Sequence, residues 1–168
     1  MKRKVMMTGV AGLVFALALV GASAKANFSG TWTLDKTKSE GLPASVKDQV
    51  MTIKQEGDKL TIDSKLTLEQ GEQVTNDVYT LDGKPADFTS KGMGGVEGHG
   101  KRTAKWSSDG NGIEVSEEIN YDTVQGAVTV NIARKWALSA DGKALTIDMD
   151  ITSPMGSQHI KRVLVKKA

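Results

Sequence analysis

The chain has 168 residues, of which 22 are lysine or arginine and 20 are aspartate or glutamate, and it contains no cysteine. The lack of cysteine excludes disulfides and lipid attachment at a cleavage-site cysteine, so packing alone must stabilise the fold. The length suits one domain with one sizeable hydrophobic core.

The N-terminus has the features of a secretory signal peptide. A basic start at residues 2–4 precedes an uncharged apolar run at 10–20, and small residues that fit a cleavage site follow. We predict a signal peptide over 1–26, cleaved before Lys25 or Asn27. The apolar run is short and rich in alanine and glycine, which disfavours an uncleaved anchor and predicts no stable membrane span after cleavage.

The charge of the mature chain differs from that of the precursor. Cleavage before Asn27 removes four basic residues and no acidic one, which leaves 18 basic against 20 acidic residues and a net charge of −2. A chain this close to neutrality has no electrostatic reason to bind nucleic acid or anionic lipid. We predict a periplasmic or secreted protein with one domain over 27–168 and no nucleic-acid partner, and the sequence points to no particular protein partner.

Most of the mature chain alternates apolar and polar residues, a pattern typical of half-buried strands. Short turns separate these strands, and the Asp-Gly pairs among the turns favour hairpins. The inward face of the first strand consists of Phe28, Gly30, Trp32 and Leu34. The Asp-Gly pairs are Asp82-Gly83, Asp109-Gly110 and Asp141-Gly142.

Eight or nine such strands with almost no helix signal predict an all-β fold. A single antiparallel up-and-down β-barrel fits best, because sequential hairpins can close and leave no open edge. A β-sandwich is the alternative. Pro43 fits the first position of one short helical turn after the first strand. Alternation fails between Phe88 and Ala104, where glycines are frequent, and we predict a loose loop at the barrel mouth there.

In the segment Asn27–Asp35, a glycine stands two residues before an inward tryptophan, so the indole can lie across the strand and plug one end of the barrel. With the Lys36–Ser39 run that follows, this segment resembles the opening of lipocalin-like (calycin-type) small bacterial envelope proteins. The resemblance implies that Gly30 and Trp32 form a barrel floor. It also implies that a short helix closes one end after the first strand.

The same resemblance implies an arginine packed across Trp32. Arg134 and Arg162 are both candidates, and Arg162 lies on the last strand, which adjoins the first strand in a closed barrel. The sequence leaves the choice between the two open.

Two charged residues fall on an otherwise apolar strand face. With a loop at 122–127, Glu117 stands opposite Ile132 and Arg134 is its diagonal neighbour on the inner face. A buried charge is costly unless it is paired, so the two residues together make more sense than either alone. Either the pair anchors a ligand headgroup in an apolar cavity, or it is structural, and both interpretations stay open.

No catalytic or metal-binding constellation is visible in the sequence. His99 and His159 are the only histidines, and neither has a second ligand at zinc spacing. The segment Gly95–Lys101 matches the start of a phosphate-binding loop, but Arg102 stands where serine or threonine should bind magnesium. We therefore predict a protein that is not an enzyme and that has no metal and no cofactor.

The favoured hypothesis is a barrel that binds or carries a small hydrophobic or amphipathic molecule. Trp106 and Trp136 either line the pocket or fill the core. The alternative is a structural or interaction module of the cell envelope with a filled barrel, for which an outward apolar patch near Val78 and Tyr79 would speak. An enzyme is the weakest hypothesis. The candidate ligand-binding residues are Glu117, Arg134, Trp106 and Trp136, and the candidate floor residues are Gly30, Trp32 and Arg162.

Overall fold

The computed structural model describes residues 25–92, 95–124 and 126–167. The predicted signal peptide, apart from its last two residues, lies outside these ranges. Within them, no helix is long and apolar enough to cross a membrane.

The described chain forms ten β-strands, one or two more than the sequence predicts. They are β1 (Gly30–Leu34), β2 (Val46–Glu56), β3 (Lys59–Leu68), β4 (Gly71–Thr80), β5 (Asp82–Lys91), β6 (Glu97–Trp106), β7 (Gly112–Thr123), β8 (Gly126–Leu138), β9 (Ala144–Ser153) and β10 (Gly156–Lys166).

Two of these strands occupy the stretch 88–104, for which the sequence predicts a loose mouth loop. Gly98 and Gly100 lie in β6, directly against β7. A side chain at Gly98 would collide with the ring of Tyr121, and one at Gly100 would collide with the carbonyl oxygen of Glu118. These glycines therefore permit a close approach of two strands, and they do not mark a loop.

All ten strands belong to one antiparallel sheet with the order β4-β3-β2-β1-β10-β9-β8-β7-β6-β5. The first and last strands are neighbours, with Trp32 paired to Lys166, as an up-and-down barrel requires. The prediction of an antiparallel barrel is therefore confirmed, and the sandwich alternative is not what the chain adopts. The barrel is near-closed, because β4 and β5 are the two edges of the described sheet and are not hydrogen-bonded to each other.

Two of the three Asp-Gly pairs form the predicted hairpins. Asp109-Gly110 joins β6 to β7, and Asp141-Gly142 joins β8 to β9. Asp82-Gly83 does not, because it is the start of β5, which pairs with β6 and not with β4. Leu81 connects β4 to β5. Its side chain is buried, and its amide donates a hydrogen bond to the carbonyl of Asp58 in the β2–β3 turn.

No helix follows β1 in the described residues. The chain makes one hydrogen-bonded turn, in which the Val46 amide donates to the Pro43 carbonyl at 3.0 Å. On either side of this turn the backbone bonds to the barrel: Glu40 pairs with Lys161 of β10, and the Ser45 carbonyl accepts from the Glu69 amide. These bonds satisfy the extended backbone, which is why the predicted helical turn does not form.

The predicted floor residue Trp32 is fully buried, and its Nε1 donates to the Phe28 carbonyl at 3.0 Å. The cation over its ring is the Lys166 ammonium, 5.2 Å from the ring centroid, and not Arg134 or Arg162. The register explains this difference, because Lys166 is the direct cross-strand partner of Trp32.

Gly30 makes room for this cation. A Cβ at Gly30 would approach the Lys166 Cε to 2.6 Å, and its backbone φ of +144° also favours glycine. The structure therefore supports the assignment of Gly30 and Trp32 to one end of the barrel.

We expect Trp32→Ala to lower the free energy of unfolding by about 3–5 kcal/mol, because it removes the largest fully buried side chain and leaves a cavity. Urea denaturation followed by circular dichroism measures the change. The control is Lys54→Ala on the exposed face of β2, which should stay within about 0.5 kcal/mol of the wild type. A loss below about 1 kcal/mol for the tryptophan variant would contradict its role in the floor.

Candidate functional site

The barrel interior contains a cavity of about 440 Å³. Its apolar wall includes Trp136, Met51 and Met149, and its polar wall includes three arginines and a glutamate. The described interior is therefore not filled by side chains. The wall combines apolar side chains with many polar and charged ones, a lining that suits an amphipathic small molecule.

Glu117 is the central charged residue of this cavity and is only 4% exposed. It lies opposite Ile132 in the predicted register between β7 and β8. Its Oε2 accepts a hydrogen bond from Arg134 Nη1, so the two predicted partners do meet. Its Oε1 accepts a second bond, from Arg102 Nε at 2.5 Å.

Arg102 is the site residue that the sequence analysis misses. Its Nη2 donates to Asp77 Oδ1 of β4 at 2.9 Å. Its guanidinium carbon lies 4.4 Å from the ring centroid of Tyr79 and 4.1 Å from that of Phe88. Burial opposes its charge, but Tyr79 and the two carboxylates outweigh burial and raise the pKa of Arg102 above its ordinary value.

A sequence signal for Arg102 did exist. Arg102, Ala104 and Trp106 alternate at period 2, a pattern that indicates a strand. Extending that strand by one step would have placed the arginine on the inner face. The glycines on its N-terminal side hid the strand.

Arg162 lines the cavity and does not cover the floor. Its Nη1 donates to Gln49 Oε1 at 3.2 Å, and the Gln49 amide in turn donates to Ser64 Oγ at 3.0 Å. Burial and the nearby positive charge of Arg134 lower the pKa of Arg162 to about 10. None of the ion pairs formed by the described residues involves this arginine.

The charges of the cavity do not balance. Four basic residues of the lining, the three arginines and Lys91, face three carboxylates, Glu117, Asp77 and Glu97. Arg102 binds the first two carboxylates, and Glu97 lies beside His99. One positive charge is left over, and it belongs to Arg162. A buried charge without a counter-charge is costly, so a site of this kind favours an anion.

Trp136 contributes a second unsatisfied group. It is 4% exposed, lines the cavity and packs edge-on against Tyr79 with the ring centroids 5.9 Å apart. Its Nε1 is buried and has no acceptor among the described residues. Buried donors without partners are rare in proteins, so this N–H is a candidate to meet an acceptor on a bound molecule.

Trp106, the other tryptophan predicted to contact a ligand, lies away from the cavity. It packs on Phe28 with the ring centroids 6.2 Å apart, and its Nε1 donates to Asp58 Oδ1 at 2.8 Å. Lys25 stands over its ring at 5.1 Å. The structure thus assigns Trp106 to the same end of the barrel as the floor.

The structure shows no sign of a metal centre in the ranges it describes, where no group of three or more histidine and acidic side chains converges. His159 instead bonds Asp150 on the outside of the barrel at 2.7 Å, and this bond raises the pKa of His159. Most of the segment Gly95–Lys101 belongs to strand β6, so no phosphate-binding loop forms there.

Among solved structures, the fold is similar to that of a zebrafish ileal bile acid-binding protein complexed with cholic acid, with a TM-score of 0.52 and 16% sequence identity. The match covers 83% of this chain and 98% of that chain. No family model matches the sequence, and a search of curated proteins finds no match. The likeness supports the fold, which is a near-closed barrel of ten antiparallel strands.

We expect Glu117→Gln to lower the free energy of unfolding by about 3 kcal/mol, because it removes the only carboxylate between two partly buried arginines. Chemical denaturation measures the loss. The matched control is Glu118→Gln, the next residue, whose side chain faces outward and is exposed. Equal effects of the two substitutions would contradict the central role of Glu117.

Proposed function

We propose that this protein binds a small amphipathic anion inside the barrel. Arg162, assisted by Arg134, holds the anionic group, and the apolar body of the molecule lies against Trp136, Met51 and Met149. The observation that carries the proposal is the charge of Arg162, which is partly buried at the cavity wall and whose hydrogen-bond partner there is the neutral Gln49.

The cost of this charge supports a binding role. An arginine in a purely structural network would be expected to have a carboxylate partner, as Arg102 and Arg134 do. The pKa of Arg162 is lowered because burial and Arg134 both oppose its charge. An anionic ligand places a negative charge beside Arg162 and so offsets the free-energy cost of both effects, which favours its binding.

Size and fold agree with a ligand of this class. A volume of about 440 Å³ lies within the usual range for small-molecule sites, about 300–1,000 Å³. The structural neighbour is complexed with cholic acid, which supports a small hydrophobic ligand for a barrel of this type. The free Nε1 of Trp136 adds a preference for a molecule with a hydrogen-bond acceptor along its body.

The cellular setting is part of the proposal. The signal peptide over 1–26 and the Gly30/Trp32 opening favour an exported, lipocalin-like protein of the bacterial periplasm or exterior, with 27–168 as its mature domain. In that setting the protein carries or sequesters its ligand.

A second candidate is an interaction module, as the sequence analysis suggests. Val74 is 72% exposed and Val78 is 48% exposed, and both lie on the outer face of β4. Exposed apolar residues on a strand favour a protein partner. This candidate predicts that the cavity takes up no probe.

The test is a fluorescence titration with two matched probes, anionic 8-anilino-1-naphthalenesulfonate and neutral N-phenyl-1-naphthylamine. We expect the mature protein to bind the anion more tightly than the neutral probe. Arg162→Met should weaken binding of the anion about tenfold or more and change that of the neutral probe by less than about threefold. A protein that binds neither probe would contradict the proposal and favour the interaction module.

The same substitution separates a binding role from a structural one. We expect Arg162→Met to change the free energy of unfolding of the ligand-free protein by less than about 1 kcal/mol, because the removal of a partly buried charge without a counter-charge is offset by the loss of its hydrogen bond to Gln49. Arg134→Met is the comparison, and it should destabilise, because it leaves Glu117 with one partner fewer. A clear loss of stability in Arg162→Met would show that the charge is structural.

A further inference from the structure

The cavity reaches the outside between the two edge strands. Residues 73–77 of β4 and 88–91 of β5 line it without interruption. Successive residues of a strand point to opposite faces, so an unbroken run of lining residues means that the strand edge itself borders the cavity. We call this gap between β4 and β5 the seam. No backbone ladder closes it in the described strands.

Side chains close the seam where the backbone does not. Arg102 extends from β6 and bonds Asp77 on β4, and its guanidinium contacts the rings of Tyr79 on β4 and Phe88 on β5. Glu117 holds the same guanidinium from the inside of the barrel. One side chain therefore touches both edges of the seam and is anchored at the ligand site.

We propose that the seam is the path by which the ligand enters and leaves, and that Arg102 is the positioning residue that controls how often the seam opens. This inference rests on the proposed function. Opening the wall anywhere else would break a ladder such as that of β3 and β4, which pairs every residue from Lys59 to Leu68. Opening the seam breaks one ion pair, with Asp77, and one ring contact, with Tyr79, which are weaker and involve no backbone, since Phe88 lies on β5, which stays paired with β6.

The opposite end of the barrel offers no comparable route. Trp32 and Phe28 are fully buried there, and they are bonded to each other through the indole N–H. The remaining route is the mouth, where the β3–β4, β5–β6, β7–β8 and β9–β10 turns lie. The test therefore distinguishes entry through the seam from entry through the mouth.

We call Arg102, in this role, the latch. Because the latch controls only how often the seam opens, weakening it changes the rates of ligand uptake and release together and leaves the affinity nearly unchanged. This separates it from Arg162, which acts on affinity. Kinetics and equilibrium binding of the same probe thus report on the two proposals independently.

The first experiment closes the seam covalently. The chain has no cysteine, so Thr75→Cys on β4 and Thr89→Cys on β5, both exposed and lining the seam, can be joined by a short bismaleimide without side reactions. The control joins Asn120→Cys and Thr129→Cys, exposed partners on the outer face of β7 and β8. Stopped-flow fluorescence with 8-anilino-1-naphthalenesulfonate measures uptake and release before and after cross-linking.

We expect the seam cross-link to slow uptake and release about tenfold or more, or to block them, and the control cross-link to leave both rates unchanged. Unchanged rates in a seam-linked protein that still binds the probe would overturn the inference in favour of the mouth, and the proposed function would stand. Failure of the unlinked variant to bind the probe at all would overturn both.

The second experiment weakens the latch without touching the cavity arginines. With the neutral probe N-phenyl-1-naphthylamine, whose binding does not depend on the cavity charge, Asp77→Asn should speed uptake and release about three- to tenfold and change the equilibrium affinity by less than about threefold. The matched control is Asp87→Asn, which removes an exposed pair with Lys101 on the outer face of β5 and β6 and should change neither rate. Equal rates in the wild type and Asp77→Asn would overturn the assignment of Arg102 as the latch.

Discussion

One buried carboxylate organises the interior of this barrel. Glu117 binds Arg102 with one oxygen and Arg134 with the other, and so ties β7 to β6 and β8 at the level of the cavity. Each carboxylate oxygen of Glu117 binds one of these two arginines, so Glu117 forms no ion pair with Arg162. The same interaction therefore fixes the polar wall, creates the surplus positive charge and anchors the arginine that spans the seam.

Two parts of the barrel contribute differently: the end that contains Trp32 contributes to stability, and the cavity contributes to binding. At the floor, Trp32 and Phe28 are fully buried and the indole N–H is satisfied, so that end contributes apolar burial with no unmet polar group. In the cavity, Arg162 has no counter-charge and Trp136 Nε1 has no acceptor among the described residues. Groups that are costly in the empty fold and matched by a ligand are what a binding site requires.

The sequence predicts those features that depend on alternation within and between neighbouring strands. The antiparallel barrel, the contact of the first and last strands and the register of Glu117 against Ile132 follow from period 2 and hairpin loops. The sequence does not predict features that depend on a contact with another strand. In the sequence, Gly98 is typical of a loop. In the structure, a side chain at this position would collide with the ring of Tyr121 of β7, so glycine is required there.

The cation over Trp32 and the latch were missed for related reasons. Arg162 and Lys166 lie four residues apart on the last strand, and the register of that strand with the first decides which of them reaches the indole. The Asp82-Gly83 pair has the chemistry of a hairpin turn, yet it begins β5, which does not pair with β4, and local turn chemistry contains no information about that. The seam between β4 and β5 depends on how all ten strands pair.

The central claim is that a bound anion meets the guanidinium of Arg162 inside the barrel. It is tested most directly by recording the side-chain Nε–H signals of the arginines by nuclear magnetic resonance during titration with a twelve-carbon carboxylate. We predict that the signals of Arg162 and Arg134 shift together and saturate at one ligand per chain. Binding of the carboxylate with both signals unmoved would contradict the account.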